Sequence, residues 1–148
     1  MAHLIDTSIL ARLANTVDAS HALPLGLSSS CTDAARSCVA PQNLVEFRNV
    51  ATRPAAMNGL GLSTVDAEAK LAVFRAAFPL LMETPDIYPA WKALVGALAV
   101  VGKQVHDARL VAVCHVHRVT HLLTFNVSHF SRRASFGPGV VVVDPVSV

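Results

Sequence analysis

Short apolar segments separated by longer amphipathic ones constrain the fold of this chain more than any other feature. Segments at 3–5, 38–40, 121–125 and 140–143 have the apolar character of buried strands, and the last is a run of four valines. The patterns between them are helical and long enough to cross back over a sheet. Strands that alternate with helices predict an α/β fold whose central sheet is mainly parallel.

Local signals mark where several of these helices begin and end. Ser63 precedes an apolar helical stripe and has Asp66 three positions later, which is the spacing of a capping box. Pro41 suits the first position of the preceding helix. A further helix is predicted over 88–101, closed by Gly102.

Four polar residues fall at or near the ends of these predicted elements. Asp6 follows the first strand at the point where a helix begins, and Glu46 lies on the helix before Ser63. Asp107 is predicted to begin a later helix, and Asn126 opens a predicted loop. Ligands of open α/β sheets bind at the carboxyl edge of the strands, where Asp6 lies.

Three of these four residues are carboxylates, in a chain of which only 15% is charged. Desolvating a carboxylate is costly, and a hard divalent cation such as Mg²⁺ or Mn²⁺ is an economical shared partner. The set therefore predicts metal-assisted chemistry on phosphate esters. Taken singly, each residue has an ordinary explanation. Asp6 and Asp107 suit helix N-termini. Glu46 could be solvated, and Asn126 is common in turns.

The order of these residues, with the motifs around them, resembles the PIN-domain nucleases, and in particular the VapC-type ribonuclease toxins of toxin–antitoxin pairs. The resemblance covers nearly the whole chain. It rests on LIDTSIL at 4–10, NLVEFRNVATRP at 43–54, KQVHDARLVA at 103–112, LLTFNVSHF at 122–130 and VVVVDP at 140–145. It implies a PIN-like three-layer α/β/α domain over residues 1–148 with a central, mainly parallel sheet.

The resemblance also implies which residues form the active site. Asp6, Glu46 and Asp107 match the acids that hold Mg²⁺ or Mn²⁺ for RNA cleavage in this family. Asn126 occupies the place of a fourth catalytic residue, which is often Asp. The small hydroxyl positions of the family, expected to help position the substrate, are matched by Thr7, Ser8 and Thr124.

Three features depart from the family pattern. Asn126 is neutral where an acid is common, and His129 stands where many relatives carry an acid. The site therefore has three carboxylates and one amide, which leaves open whether it holds one metal ion or two. The segment 18–37 contains Pro24, Gly26 and three consecutive serines, so it predicts a short helix or a loop where the family would have a regular helix.

Arginine residues are candidates for holding the phosphate backbone of a substrate, because guanidinium groups suit phosphate. Arg109, Arg48 and Arg53 could each do so, and Arg109 is assigned to substrate positioning. Arg132 and Arg133 are further candidates. Ordinary solvated charge would explain each of them as well, and the net charge of +2 is compatible with a polyanionic ligand without requiring one.

Composition favours a cytoplasmic protein with no membrane association. Three cysteines without a CxxC motif argue against a disulfide framework, and the longest uncharged apolar stretch, 93–102, is too short to span a bilayer. The first residues lack the pattern of a signal peptide. The 53% apolar content and the aliphatic segment 91–101 predict a homodimer, with Trp91 in the core or at an interface rather than as a platform for bases. The resemblance adds a small antitoxin as a partner.

Two other functions remain open. With Asn126 and His129 in place of acids, the protein could be a catalytically weak PIN-like module that binds RNA or a partner. A phosphatase with Asp6 as a covalent nucleophile is a third possibility, but Ser8 stands where such enzymes usually carry an acid. Neither GxxxxGK[ST] nor GxGxxG occurs, so nucleotide binding of those kinds is unsupported.

Overall fold

A parallel sheet lies at the centre of the computed structural model, which describes residues 2–15 and 37–146. Within these residues its four strands are β1 His3–Ile5, β2 Ser37–Cys38, β3 His121–Leu123 and β4 Val141–Val143. Their order is β2–β1–β3–β4, and each neighbouring pair is parallel. The predicted α/β fold with a mainly parallel sheet is confirmed.

Helices cover both faces of this sheet. In the described part of the chain they are α1 Thr7–Ala14, α2 Pro41–Thr52, α3 Thr64–Ala77, α4 Ile87–Ala97, α5 Gln104–His117 and α6 Val127–Ala134. A short 3₁₀ turn, Ala55–Met57, lies in the connection between α2 and α3. None of the described helices is both long and apolar enough to cross a bilayer.

Each face of the sheet has its own apolar core, because successive side chains of a strand point to opposite faces. Leu4 and Leu122 pack with α4, α5 and α6. Ile5 and Leu123 pack with α1, α2 and α3. This gives the three layers of an α/β/α arrangement. Burying one such side chain contributes about 1.5–3 kcal/mol, so a one-residue slip of register, which would exchange the two faces, is strongly disfavoured.

Several helix starts follow from the signals in the sequence. The Asp6 carboxylate caps α1 by accepting a hydrogen bond from the N–H of Thr7 at 2.7 Å. Pro41 is the first residue of α2, as predicted. The hydroxyl of Ser63 accepts from the N–H of Asp66 at 3.0 Å, as the capping-box spacing indicates.

The helix predicted over 88–101 ends earlier, at Ala97. Ala99 has a positive φ of 49°, which turns the chain and lets Val100 pack against the core around α5. Gly102 has a positive φ of 58°, but it lies in the turn before α5 and does not close α4. Because α5 begins at Gln104, Asp107 lies in its first turn rather than at its start.

The prediction of a loop over 126–129 is wrong, because α6 already begins at Val127. The strand predicted over 121–125 is also shorter and ends at Leu123. The buried residues of α6 are Phe130, Arg133 and Ala134, so only two apolar side chains mark its buried face in the sequence. The expectation for 18–37 falls outside the described residues except for Ser37, which is in β2.

Candidate active site

A cavity of about 1170 Å³ opens at the carboxyl end of the sheet, and we call it the carboxylate cavity. Asp6, Glu46, Asp107 and Asn126 all line it. Asp6 follows β1, Glu46 comes from α2, Asp107 from the first turn of α5, and Asn126 directly precedes α6. The structure thus brings the four predicted positions together, although they are widely separated in the sequence.

Asp6 is held by three hydrogen bonds and is only 6% exposed. Its Oδ1 accepts from the N–H of Thr7, and its Oδ2 accepts from the hydroxyls of Ser8 and Thr124, each at 2.7 Å. Short bonds to an ionised acceptor are among the stronger kind. Ser8 and Thr124 therefore orient Asp6; Ser8 also lines the carboxylate cavity, whereas Thr124 is fully buried behind it.

Glu46 and its neighbour Gln42 connect three helices around the carboxylate cavity. One of its oxygens accepts from the hydroxyl of Thr7 at 2.9 Å, and the other accepts from the side-chain amide of Gln42 at 2.8 Å. The same Gln42 amide donates to the carbonyl of His106 on α5 at 2.9 Å. The bond from Thr7 links α1 to α2, and Gln42 extends this link to α5, a role of Gln42 that sequence reasoning missed.

Asp107 is in a different electrostatic position. None of the hydrogen bonds found among the described residues reaches its carboxylate, and Nδ1 of His129 lies 4.0 Å away. Partial burial raises the pKa of Asp107 above its ordinary value, and the negative charges of Asp6 and Glu46 raise it further. His129 and Arg133 act in the opposite direction. A carboxylate placed among like charges in this way favours binding a proton or a cation.

Arg133 brings a positive charge to the wall of the carboxylate cavity. It lies on α6 and is 8% exposed, and its guanidinium donates to the side-chain oxygen of Gln104. Its Nε is buried and has no hydrogen-bond partner among the described residues. An unsatisfied buried donor costs about 1–3 kcal/mol, and a small shift of the guanidinium toward the cavity would let this atom donate to an oxygen of a bound ligand.

The other arginine candidates differ in what they already contact. Arg109 lines the carboxylate cavity, but its guanidinium pairs with Glu83 at 2.6 Å and donates to Gln42 at 3.0 Å. Arg48 pairs with the exposed Glu68 at 2.8 Å and is itself 45% exposed, which is the pattern of a solvated surface pair. Compared with Arg109 and Arg48, Arg133 has a guanidinium nitrogen without a hydrogen-bond partner among the described residues. Arg109 instead supports the cavity wall through its bonds to Glu83 and Gln42.

Asn126 lies at the rim of the carboxylate cavity and is exposed. Its side chain makes no capping hydrogen bond to α6, and its N–H donates to the hydroxyl of Thr124 at 3.0 Å. The amide is thus available to a ligand. Within residues 2–15 and 37–146, no three His, Cys, Asp or Glu side chains are arranged to hold one metal ion as they stand.

Comparison with solved structures shows where this fold occurs. The chain is similar to one in the crystal structure of VapBC2 from Rickettsia felis bound to a DNA fragment from their promoter. The TM-score is 0.66 with 14% sequence identity, over 97% of this chain and 98% of that one. No protein-family model matches the sequence, and no curated protein does either. The similarity shows that this chain shares its fold with a chain of that VapBC2 structure.

Proposed function

We propose that the protein is a ribonuclease that depends on Mg²⁺ or Mn²⁺ and hydrolyses phosphodiester bonds of RNA. The observation that carries this proposal is the meeting of Asp6, Glu46 and Asp107 at one cavity. Asp107 has a raised pKa there and, among the described residues, no hydrogen-bond donor. The fold, which this chain shares with a chain of the VapBC2 structure, supports the same proposal.

The chemistry of the donor set fits a hard divalent cation, which takes oxygen ligands. An ionised carboxylate has about four lone-pair sites; Asp6 uses three of them and Glu46 two, so each retains capacity. When bound, such an ion supplies a more acidic water and offsets the charge on the phosphorane. Since the acids do not yet surround one point, the proposal requires their side chains to adjust on binding.

The remaining residues would hold the RNA and keep the acids in place. The Nε of Arg133 would donate to a phosphate oxygen, which satisfies an atom that is buried without a partner among the described residues. The exposed amide of Asn126 would contact the strand at the rim of the carboxylate cavity. Thr7, Ser8 and Thr124 would keep Asp6 and Glu46 in orientation.

A cleavage assay tests this function. Labelled single-stranded RNA is incubated with wild type, Asp6→Ala or Asp86→Ala in the presence of Mg²⁺ or Mn²⁺. Asp86 is a matched control, because it is an exposed carboxylate that also precedes a helix and makes no capping bond. We expect cleavage by wild type and Asp86→Ala and its loss in Asp6→Ala. Equal cleavage by wild type and Asp6→Ala would contradict this site.

A catalytically weak module that binds RNA or a partner is the second candidate function. It is favoured by the neutral Asn126 and by His129, which lies where a further acid would strengthen the site. Titration calorimetry with Mg²⁺ and Mn²⁺ separates the two. Absence of binding at millimolar concentration would favour the weak module over the nuclease.

We also propose a small antitoxin partner, a homodimer and a cytoplasmic location. The similar solved structure is of VapBC2, and an exposed apolar side chain lines the carboxylate cavity in this chain. Val45 lines it and is 71% exposed, and Val65 and Val73 are exposed on α3. Apolar side chains of this kind form partner interfaces when they are contiguous. A monomeric mass in light scattering at micromolar concentration would contradict the homodimer.

A further inference from the structure

A second, smaller cavity lies beside the carboxylate cavity. Its volume is about 380 Å³, within the range of small-molecule sites. Its apolar part is formed by Ile87, Tyr88, Trp91 and Val105, and we call it the aromatic pocket. The residues that line both cavities are Glu83, His106 and Arg109. The two cavities therefore adjoin, and the ion pair between Arg109 and Glu83 lies at their common boundary.

The two aromatic rings of this pocket are held in a defined arrangement. Tyr88 and Trp91 are one turn apart on α4, with ring centroids 5.7 Å apart and planes at 35°. The indole N–H donates to the carbonyl of Val105 at 2.9 Å, which fixes that ring against the start of α5. Trp91 also packs on the core around α5, as its sequence context predicted, while Tyr88 is 65% exposed. An exposed ring beside a fixed one suits a flat aromatic ligand.

Thr84 also lines the pocket. Its hydroxyl oxygen is buried and has no hydrogen-bond partner among the described residues, and a rotation of the side chain would bring it to a ligand. A nucleobase offers a flat face for stacking and donors and acceptors along its edge. A phosphate fits less well, because the cation at the boundary, Arg109, is already paired with Glu83.

We propose that the aromatic pocket binds a base of the RNA strand whose backbone enters the carboxylate cavity. This inference rests on the proposed function and extends it to a base subsite next to the cleavage site. Tyr88 provides the exposed stacking surface, Trp91 supports that ring from the core side, and the Thr84 hydroxyl, once rotated outward, pairs with the edge of the base. Arg109 and Glu83 lie where the strand passes from one cavity to the other.

Fluorescence provides a direct test, since Trp91 is the only tryptophan of the chain. A short single-stranded oligoadenylate is titrated into the full-length protein in EDTA, which suppresses metal-dependent cleavage. We expect saturable quenching. An abasic oligomer with the same phosphate backbone should leave the fluorescence nearly unchanged. Equal quenching by the two oligomers, or none by either, would overturn the base subsite.

Variants of Tyr88 provide the second part of the test. Removing a stacking ring in Tyr88→Ala should weaken oligoadenylate binding about tenfold, whereas Tyr88→Phe, which keeps the ring, should stay within about twofold of wild type. Val65→Ala is a control for loss of an exposed side chain on another helix. Unchanged oligoadenylate affinity in Tyr88→Ala would overturn the proposal. If the mass of Tyr88→Ala in light scattering also falls below that of wild type, the pocket is a contact between subunits instead.

The subsite and the nuclease proposal fail in different ways. If oligoadenylate quenches Trp91 and Tyr88→Ala weakens the binding, but wild type cleaves no RNA with Mg²⁺ or Mn²⁺, the subsite stands and the nuclease proposal falls. If wild type cleaves RNA and Tyr88→Ala does so with the same KM, the nuclease stands and the subsite falls.

Discussion

The two sides of the carboxylate cavity hold their acids by different means. At the strand-end wall, where Asp6 and Ser8 line the cavity and Thr124 lies buried behind them, the Asp6 carboxylate accepts three short hydrogen bonds. At the helical wall, where Asp107 and Arg133 line the cavity, the Asp107 carboxylate accepts none among the described residues, and a buried guanidinium nitrogen of Arg133 has no partner there either. The carboxylate of the first wall is fixed by the protein itself, whereas the second wall has polar atoms without partners among the described residues.

Substituting the acid on each wall gives the largest expected effect. If both carboxylates hold the metal ion, Asp6→Asn and Asp107→Asn should each lower RNA cleavage on the order of 10³-fold, because a catalytic ion contributes several kcal/mol and each 1.36 kcal/mol is tenfold in rate. Single-turnover rates with Mn²⁺ measure this loss. Full activity in Asp107→Asn alone would restrict the site to the strand-end wall.

Removing a donor that orients Asp6 should have a smaller effect. Thr124→Val deletes one of its three hydrogen bonds at a fully buried position. Loss of such an orienting partner typically lowers metal affinity or activity about 10–100-fold. Metal titrations of cleavage would measure it, with Thr124→Ser restoring most of the activity. Thr120→Val, at an exposed threonine, is the matched control, and an equal loss there would remove the special role of Thr124.

On the helical wall, Arg133→Gln should weaken RNA binding about tenfold, since hydrogen bonds to charged groups contribute about 1.5–3 kcal/mol. The effect should appear in KM and in a smaller dependence of binding on salt. Arg132→Gln is a control on the same helix, because Arg132 is exposed and donates to the carbonyl of Leu98 instead. Equal losses in both variants would indicate a general effect of charge on α6.

The smallest effect concerns stability without metal. The pKa of Asp107 is raised in the folded protein, so the protonated carboxyl favours folding and the ionised carboxylate opposes it. The stability that protonated Asp107 contributes is lost as pH rises from the unfolded pKa of about 3.9 through the folded pKa. In EDTA at pH 7, Asp107→Asn should therefore raise Tm on the order of 2 °C, and the difference should vanish at acidic pH.

A metal titration and a control complete this test. Mn²⁺ should raise the Tm of wild type and do so less in Asp107→Asn, because an ion that binds only the folded state stabilises it. Asp86→Asn, at an exposed carboxylate, should show no rise at pH 7 in EDTA. A lower Tm in Asp107→Asn would mean that its carboxylate already has a stabilising partner.

The regular part of the fold was predictable because its signals are local. The approximate positions of the four strands, Pro41 at the start of α2 and the capping pair Ser63 and Asp66 were interpreted correctly from the sequence, although the bounds of β2, β3 and β4 differ by one or two residues. The end of α4 and the whole of α6 were not, because they depend on contacts made across the structure. Val100 is drawn to the core after a turn at Ala99, and α6 buries the charged Arg133.

The candidate site also combines features that were predictable from the sequence with features that depend on the fold. The order of Asp6, Glu46, Asp107 and Asn126 in the sequence, and the strands and helices predicted around them, made these four residues candidates for a common site, and the structure places them at one cavity. The fold sets the hydrogen bonds and the charges around each of them. Hydrogen bonds from Ser8 and Thr124 complete Asp6, while burial near other acids leaves Asp107 with a raised pKa. The reason is physical: a residue's type sets which bonds it can make, and the neighbours that folding brings from distant parts of the chain set which bonds it does make.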